Sequence, residues 1–406
     1  MVDTSATFYI YYVSRFNSYI NTTVNILQIY NGEIPLAVYL KKYFASNKKH
    51  GSKDRKYISS LCYNYFRLGL STKNVVDKEQ ILLGAFLSES EPSDLLENIK
   101  PEWNKKITQT LNKKIEFLKK NFFLSTVFPF KNELSDGIEF EEFCKSFFIR
   151  PDVFLRIRPK TQTGLMTKLQ KAKFEYKLPG SDCIELNHSF DAEDFFLVDK
   201  EVVVQDYNSQ KVLDYFRPQH LTFKDPPVRI WDCCAGSGGK SILVYDIFNQ
   251  RIELTVSDIR PNIILNLHQR FKKAGVKSYY YFISDLCNNS IEESQQKQVT
   301  GSQIIICDAP CTGSGTWSRT PEQLYFFDEK KIEAFTRRQK EIVSNAIPYL
   351  AKGGLFVYIT CSVFKKENEE IVNFITKKFR LKEVNTRLLK GYDKKADSMF
   401  VSILKK

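Results

Sequence analysis

Arg229-Ile-Trp-Asp-Cys-Cys-Ala-Gly-Ser-Gly-Gly-Lys-Ser241 reads as a hydrophobic strand, a glycine-rich turn and a helix beginning near Lys240. Glycines in such a turn reach backbone conformations closed to other residues and let a ligand approach the main chain, while the first N–H groups of the helix offer polar contacts. Two familiar phosphate-binding templates fail here, each by one residue. A Walker A loop needs glycine where Cys234 stands, and the dinucleotide fingerprint needs its last glycine where Ser241 stands. A purely structural turn is still open at this point. Outward from it, strands alternate with helical patterns from about Pro226 onward: Val228–Cys233, Glu253–Ser257, Ser278–Ile283, Gln303–Cys307 and Leu355–Ile359. That alternation predicts an α/β fold with a doubly wound parallel sheet. The second strand runs into Asp258, about twenty residues past the glycine turn, where a carboxylate accepts hydrogen bonds from both ribose hydroxyls of a nucleoside. NAD and S-adenosylmethionine suit that arrangement equally.

Two later strand ends narrow the choice. Gln303–Cys307 leads into Asp308-Ala-Pro-Cys-Thr-Gly-Ser-Gly315, and Leu355–Ile359 leads into Thr360-Cys-Ser362. Ligands of doubly wound sheets bind outside the carboxyl ends of the strands, so Cys311 and Cys361 are both aimed at the cofactor edge. A single cysteine at a strand end is usually inert packing. Two together, one just past an acidic strand terminus and a proline, fit a reaction. The C5 carbon of cytosine or uracil is a poor nucleophile; thiolate attack at C6 turns the ring into an enamine that takes an electrophilic methyl group at C5, and loss of the C5 proton then expels the thiol. Asp308 is placed to hydrogen-bond the N3/N4 edge of the base, favouring cytosine. The base must leave its stack to reach the thiols.

On these motifs the chain resembles the bacterial RNA cytosine-5 methyltransferases of the Fmu/Sun (RsmB) and Nop2/NSUN superfamily. The matches run in order: Val204-Gln-Asp-Tyr-Asn-Ser-Gln210, the Asp232–Ser241 loop against a family D-x-C-A-A-P-G-G-K-T, Asp-Ala-Pro-Cys, Thr-Cys-Ser, Glu367-Asn-Glu369 and a final strand within Asp397–Lys405. Gly51-Ser-Lys-Asp-Arg-Lys56 and Leu61-Cys-Tyr-Asn-Tyr-Phe-Arg67 resemble the NusB-like helical domain of the Fmu/Sun branch. The resemblance implies a Rossmann-like, S-adenosylmethionine-dependent methyltransferase acting on cytosine C5 in RNA, 16S ribosomal RNA above all. It makes Cys361 the nucleophile and Cys311 the cysteine that releases product, with Asp308 beside the methyl donor and target base. Cys234, Ala235, Gly236, Ser237, Gly238, Gly239 and Lys240 would line S-adenosylmethionine, Asp258 would hold its ribose and Asp285 would sit near its adenine. Departures are Gly236-Ser237 for Ala-Pro, Ile263 where some members carry arginine, with Arg260 nearby, and Ser398 for a common glycine. None touches the two cysteines.

Composition sets the frame. A chain of 406 residues exceeds one compact core, and its texture divides it into a helical, NusB-like accessory domain over 1–130, a small α+β, RRM-like extension over 131–225, and the methyltransferase domain over 226–406. Helical periodicity marks Ile34–Ser46, Ser52–Leu68, Lys78–Ser88 and Trp103–Asn121, with Ser52 and Ser93 as candidate N-caps. In the middle, Phe154–Arg158 alternates like a strand, Thr163–Lys173 reads as a helix, and Phe174–Asn187 holds two short strands around Pro179-Gly180. With 43% hydrophobic and 26% charged residues the chain is a folded protein rather than a disordered one. It carries 60 Lys and Arg against 47 Asp and Glu, a net charge of +13 that suits a polyanionic partner through counterion release. Seven basic residues between Lys41 and Lys56 face the single acid Asp54, a basic corner expected, with the Phe154–Arg158 strand, to guide RNA. No apolar run is long enough to span a bilayer and the start lacks a signal peptide's features, so a cytoplasmic monomer without membrane contact is expected. Nine cysteines with no Cys-x-x-Cys pair support neither disulfides nor a metal site, leaving any special cysteine as a reduced, reactive thiol. Two other classes stay in view: a non-catalytic RNA-binding or ribosome-assembly factor on the same fold, and an NAD-dependent oxidoreductase, which gives Cys311 and Cys361 no joint role.

Overall fold

A computed structural model describes residues 4–73, 75–159, 161–217, 227–288 and 291–406. The expected boundary at 225/226 lies outside the described residues. The chain forms two compact units that exchange segments: one comprises 1–132, 139–150 and 317–328, the other 133–138, 151–316 and 329–406.

The larger unit is built on two sheets. Four short antiparallel strands, β1 (Val153–Ile157), β2 (Lys177–Gly180), β3 (Cys183–Leu186) and β4 (Val202–Val204), pair in the order β2-β3-β1-β4. The seven-stranded sheet comprises β5 (Val228–Asp232), β6 (Ile252–Asp258), β7 (Tyr280–Ile283), β8 (Ser302–Asp308), β9 (Leu350–Thr360), β10 (Lys382–Leu389) and β11 (Met399–Lys405), in the order β10-β11-β9-β8-β5-β6-β7. β5 through β9 pair in parallel. β11 inserts antiparallel between β9 and β10, so the sheet is mixed rather than wholly parallel. The expected α/β class with helices on both faces stands.

Strands covered on both faces read as unbroken apolar runs, and Ile304-Ile305-Ile306 is one. Ile304 and Ile306 join a core with Ile242, Leu243 and Val244 of the helix Gly239–Ile247 and with Leu267 and Phe271 of the helix Pro261–Ala274. Ile305 and Trp231 face the other way, onto Ile342 and Val343 of the helix Lys330–Ala346 and Ile371 and Ile375 of the helix Glu369–Phe379. Chain order reverses at β5, which continues to β6 on one side and has β8 on the other. The crevice outside that switch point is where such sheets bind ligands.

A buried ion network ties the small sheet to these helices. Asp246 takes Arg156 at 2.7 Å and both arms of Arg158 at 2.6 and 3.1 Å, while Arg158 also donates to the main-chain oxygens of Asp199 and Ala274. Removing one partner would strand a buried charge.

The smaller unit is helical. Thr4–Ile29, Leu36–Ser46, Ser52–Phe66 and Lys78–Ser88 are helices. The third and fourth cross at Gly84, where a Cβ would meet the Asn64 carbonyl oxygen at 2.4 Å. Segment 317–328 packs here: Glu322 accepts from the Leu36 N–H at 3.1 Å, and Arg67 donates to the carbonyls of Phe147 and Ser318. Two expectations change. Trp103–Asn121 is not one helix but Pro101–Asn104 and Leu111–Leu118 with a turn between. Ser52 is the first helical residue, with Gly51 as its cap, whereas the Ser93 hydroxyl does cap its helix by accepting from Leu96 N–H. The lysines at 41, 42, 48, 49, 53 and 56 are exposed. No helix among the described residues is long and apolar enough to cross a membrane.

Candidate active site

The site's carboxylates and reactive-thiol candidates sit at the carboxyl ends of strands or in the turns just beyond them. Past β5 the chain turns through Gly236 and Gly238, with φ of 54° and 83°, values that glycine alone adopts without strain. Gly238 is needed for space as well, since a Cβ there would meet the Phe271 ring at 2.6 Å. Asp232 at the end of β5 is fully buried and accepts from the Ser241 hydroxyl at 2.6 Å. Burial pushes its pKa up to about 7, against the lowering by Ser241.

A cavity of about 360 Å³ opens at the switch point, and Cys234, Asp258, Asp285, Asp308 and Cys311 all belong to its wall. Its size falls in the usual range for small-molecule sites, roughly 300–1,000 Å³. Asp258 accepts from the Gly236 N–H at 2.9 Å and from both the main chain and guanidinium of Arg260 at 2.9–3.0 Å. Burial works against its charge, but Arg260 outweighs it and the pKa is lowered. Asp285 accepts from the Cys287 N–H and the Asn288 amide. Lys240 reaches Asp308 at 2.6 Å. Burial disfavours the Lys240 charge, yet Asp308 more than compensates and raises its pKa.

Of the expected cofactor segment, Cys234 lines the cavity while Ala235 to Lys240 are not among the lining residues. Gly236 and Lys240 instead hold two of the three wall carboxylates, Asp258 and Asp308, and Ser237 is held from outside by Arg270, whose guanidinium also pairs with Asp199. Ala235 is tied by its N–H to the Ser257 carbonyl, and Gly238 and Gly239 open the helix.

The two reactive-cysteine candidates meet. Their sulfurs are 3.3 Å apart, because β8 and β9 run parallel with Asp308 opposite Ile359. The Cys361 hydrogen bond first, and burial second, push the Cys311 thiol well above the usual range. Cys311 therefore keeps its proton.

Sequence reasoning missed what joins the two loops. Glu367, with no exposed surface, accepts from the Thr312 N–H at 2.9 Å, the Thr312 hydroxyl at 2.6 Å, the Ser362 hydroxyl and the Gln339 amide at 3.1 Å. Thr312 follows Cys311 and Ser362 follows Cys361, so one carboxylate anchors both cysteine turns. Burial raises its pKa despite these donors. Asn368 adds bonds to the Ser362 carbonyl and the Ser135 hydroxyl, and accepts from the Thr360 hydroxyl. The available signal was Glu367-Asn-Glu369: charged and amide side chains just past a buried strand need partners. Gly315 is a second such feature. A Cβ there would lie 2.2 Å from the Ser398 carbonyl oxygen and 2.9 Å from that of Cys361.

A family model described as 16S rRNA methyltransferase RsmB/F matches residues 219–402. Ribosomal RNA small subunit methyltransferase F of Serratia proteamaculans is 26% identical over 151 residues, covering 37% of this chain and 30% of that protein. The 28S rRNA (cytosine-C(5))-methyltransferase of Mus musculus is 29% identical over 170 residues, 39% of this chain and 20% of that one. The match thus spans under a third of the length of either relative. Among solved structures, PH0851 shares the fold with a TM-score of 0.68 at 18% identity, over 95% of this chain and 97% of its own.

Proposed function

We propose, from the match of residues 219–402 to the family model described as 16S rRNA methyltransferase RsmB/F, that the protein methylates cytosine C5 in RNA, with small-subunit ribosomal RNA as substrate and S-adenosylmethionine as methyl donor. The observation that carries the reading is the pair of thiols, 3.3 Å apart, with Cys311 on the cavity wall. A hydride-transferring, NAD-dependent oxidoreductase, which would use the same glycine loop and Asp258, gives that pair no joint role.

The residues fit the methyl donor. Asp258 offers a carboxylate for the ribose once Arg260, 60% exposed in its side chain, swings aside. Asp285 stands toward the adenine end, and the Lys240–Asp308 pair lies toward the thiols. When bound, the cofactor supplies an electrophilic methyl group. Cys361 attacks C6 of a flipped cytosine and forms a carbon–sulfur bond, making C5 nucleophilic. Asp308 binds the N3/N4 edge. After C5 takes the methyl group, solvent water removes the C5 proton, those electrons re-form the C5–C6 double bond, and the C6–sulfur bond breaks so that Cys361 leaves as thiolate. Cys311, protonated beside Cys361, serves this release by donating a hydrogen bond to the departing sulfur.

The test uses methyl-labelled S-adenosylmethionine, unmodified small-subunit rRNA and nucleoside mass spectrometry. Labelled 5-methylcytidine is expected. Cys361→Ala should abolish label, and Cys311→Ala should trap protein on RNA as a band that survives denaturing electrophoresis. Full turnover by Cys361→Ala would refute the assigned roles.

A further inference from the structure

Beside the catalytic pair lies a second group of thiols that the proposed reaction does not use. The sulfurs of Cys233, Cys234 and Cys307 all lie within 4.8 Å of one another. Cys233 and Cys307 are buried, while Cys234 is only partly covered and, with Cys233, lines the cavity. The sheet fixes this arrangement. Cys233 N–H donates to the Ile306 carbonyl at 2.9 Å, and Asp232 pairs with Ile306 in the β5–β8 register, so Cys233 and Cys307 are held on adjacent strand ends.

We propose that Cys233, Cys234 and Cys307 form a trithiolate site for one soft d10 cation of the Zn²⁺ or Cu⁺ class, and that its occupancy closes the cavity to the methyl donor. Thiolate sulfur is the preferred ligand of such ions. With metal–sulfur bonds of about 2.3 Å, three sulfurs around one ion stand about 4 Å apart. The three thiols need to draw in by less than about 1 Å, within the reach of side-chain torsions. The cavity gives the ion an entry path and room for a further ligand. Cysteines packed merely as small apolar side chains have no reason to converge on one point at a cavity wall. The three thiols release their protons to solvent on binding, and the effect on the cavity rests on the proposed cofactor: a cation held by Cys234, with its further ligand, places bulk on the wall shared with Asp258 and Asp308, where the nucleoside would bind. Residue spacing concealed the group, because Cys307 comes from a distant strand.

The test uses full-length Cys311→Ser/Cys361→Ser protein, which keeps the three thiols and removes the neighbouring pair, titrated anaerobically with Cd²⁺ alone. One equivalent should bind, with sulfur-to-cadmium charge-transfer absorption. Adding Cys307→Ala or the half-buried Cys234→Ser, each verified as folded by thermal melting, should weaken binding about 100-fold or more, since even outer-shell losses cost 10–100-fold. Absence of the band in the parent, or equal affinity in both variants, would overturn the site. Calorimetry with S-adenosylhomocysteine, with and without Cd²⁺, reads the coupling. At least tenfold weaker nucleoside binding is expected with Cd²⁺, and unchanged affinity would overturn the closure. If the nucleoside fails to bind even without Cd²⁺, the cofactor assignment falls and the closure falls with it, while the Cd²⁺ titration still decides the cation site.

Discussion

Glu367→Gln isolates the anchor beneath the two cysteine turns. The carboxylate accepts four hydrogen bonds from Thr312, Ser362 and Gln339. A glutamine keeps the shape, but its single carbonyl oxygen accepts two of them, and its NH₂ faces donors that then have no acceptor. Hydrogen bonds to an ionised acceptor contribute about 1.5–3 kcal/mol each. Relief of a buried carboxylate whose pKa is already raised offsets part of the loss of two. The net destabilisation expected is about 2–4 kcal/mol. Its functional effect is larger, because Thr312 and Ser362 adjoin the two thiols, and about 1 Å of misplacement costs roughly 100-fold in rate. The cavity carboxylates Asp258 and Asp285 have separate partners. Steady-state methylation, measured well below the variant's melting temperature, should therefore show kcat down about 100-fold with nearly unchanged KM for the methyl donor. Glu367→Asp, which keeps the charge, should recover part of the rate. A folded Glu367→Gln protein with parental kcat would refute the anchor.

Three further outcomes are expected. Asp232 has a folded pKa of about 7 against an unfolded 3.8, so the fold binds its proton more tightly; the stabilisation is complete below about pH 4 and is lost as pH rises through 7. Asp232→Asn should flatten that part of the stability–pH curve, a few kcal/mol in size, in denaturant melts from pH 4 to 8. Gly315→Ala drives a Cβ to 2.2 Å from the Ser398 carbonyl oxygen, which should cost about 1–3 kcal/mol and several degrees of Tm by calorimetry. Replacing exposed Lys48, Lys49 and Lys53 together with alanine should weaken RNA binding and reduce the log–log salt slope by up to about 2, read by filter binding at several salt concentrations; an unchanged slope would remove the basic corner from the RNA surface.

What the sequence discloses follows from how local each signal is. β5, the glycine turn and the helix after it are contiguous, and each carries its own marker: an apolar run, positive-φ glycines and a start at Gly239. Asp258, Asp308 and Cys361 were legible because strand ends of a parallel sheet all face one edge, so position along a strand gives position in space. The mixed edge was harder. β10 has residues of intermediate or greater exposure throughout and lacks the apolar run that marks a covered strand. The broken helix over 101–118 shows the same failing in reverse, since apolar spacing continues across a turn that nothing in the spacing marks.

The site's remaining parts are matters of register rather than composition. Neither the two turns that Glu367 anchors nor the Cys233–Cys234–Cys307 group can be assigned until β8 is set beside both β5 and β9. Once Ile306 stands opposite Asp232 and Asp308 opposite Ile359, the consequences are forced. The residue after Asp232 meets the residue before Asp308, bringing Cys233 to Cys307. The turns after Asp308 and Ile359 lie side by side, bringing Cys311 to Cys361. One strand, β8, thus supplies a thiol to each of two groups: Cys307 within the sheet toward β5, and Cys311 beyond it toward β9. A one-residue slip of β8 would turn its alternating side chains to the opposite faces and dissolve both groups at once. The unbroken run Ile304-Ile305-Ile306, buried on both faces and paired on both edges, therefore determines where the chemistry stands as well as where the core lies.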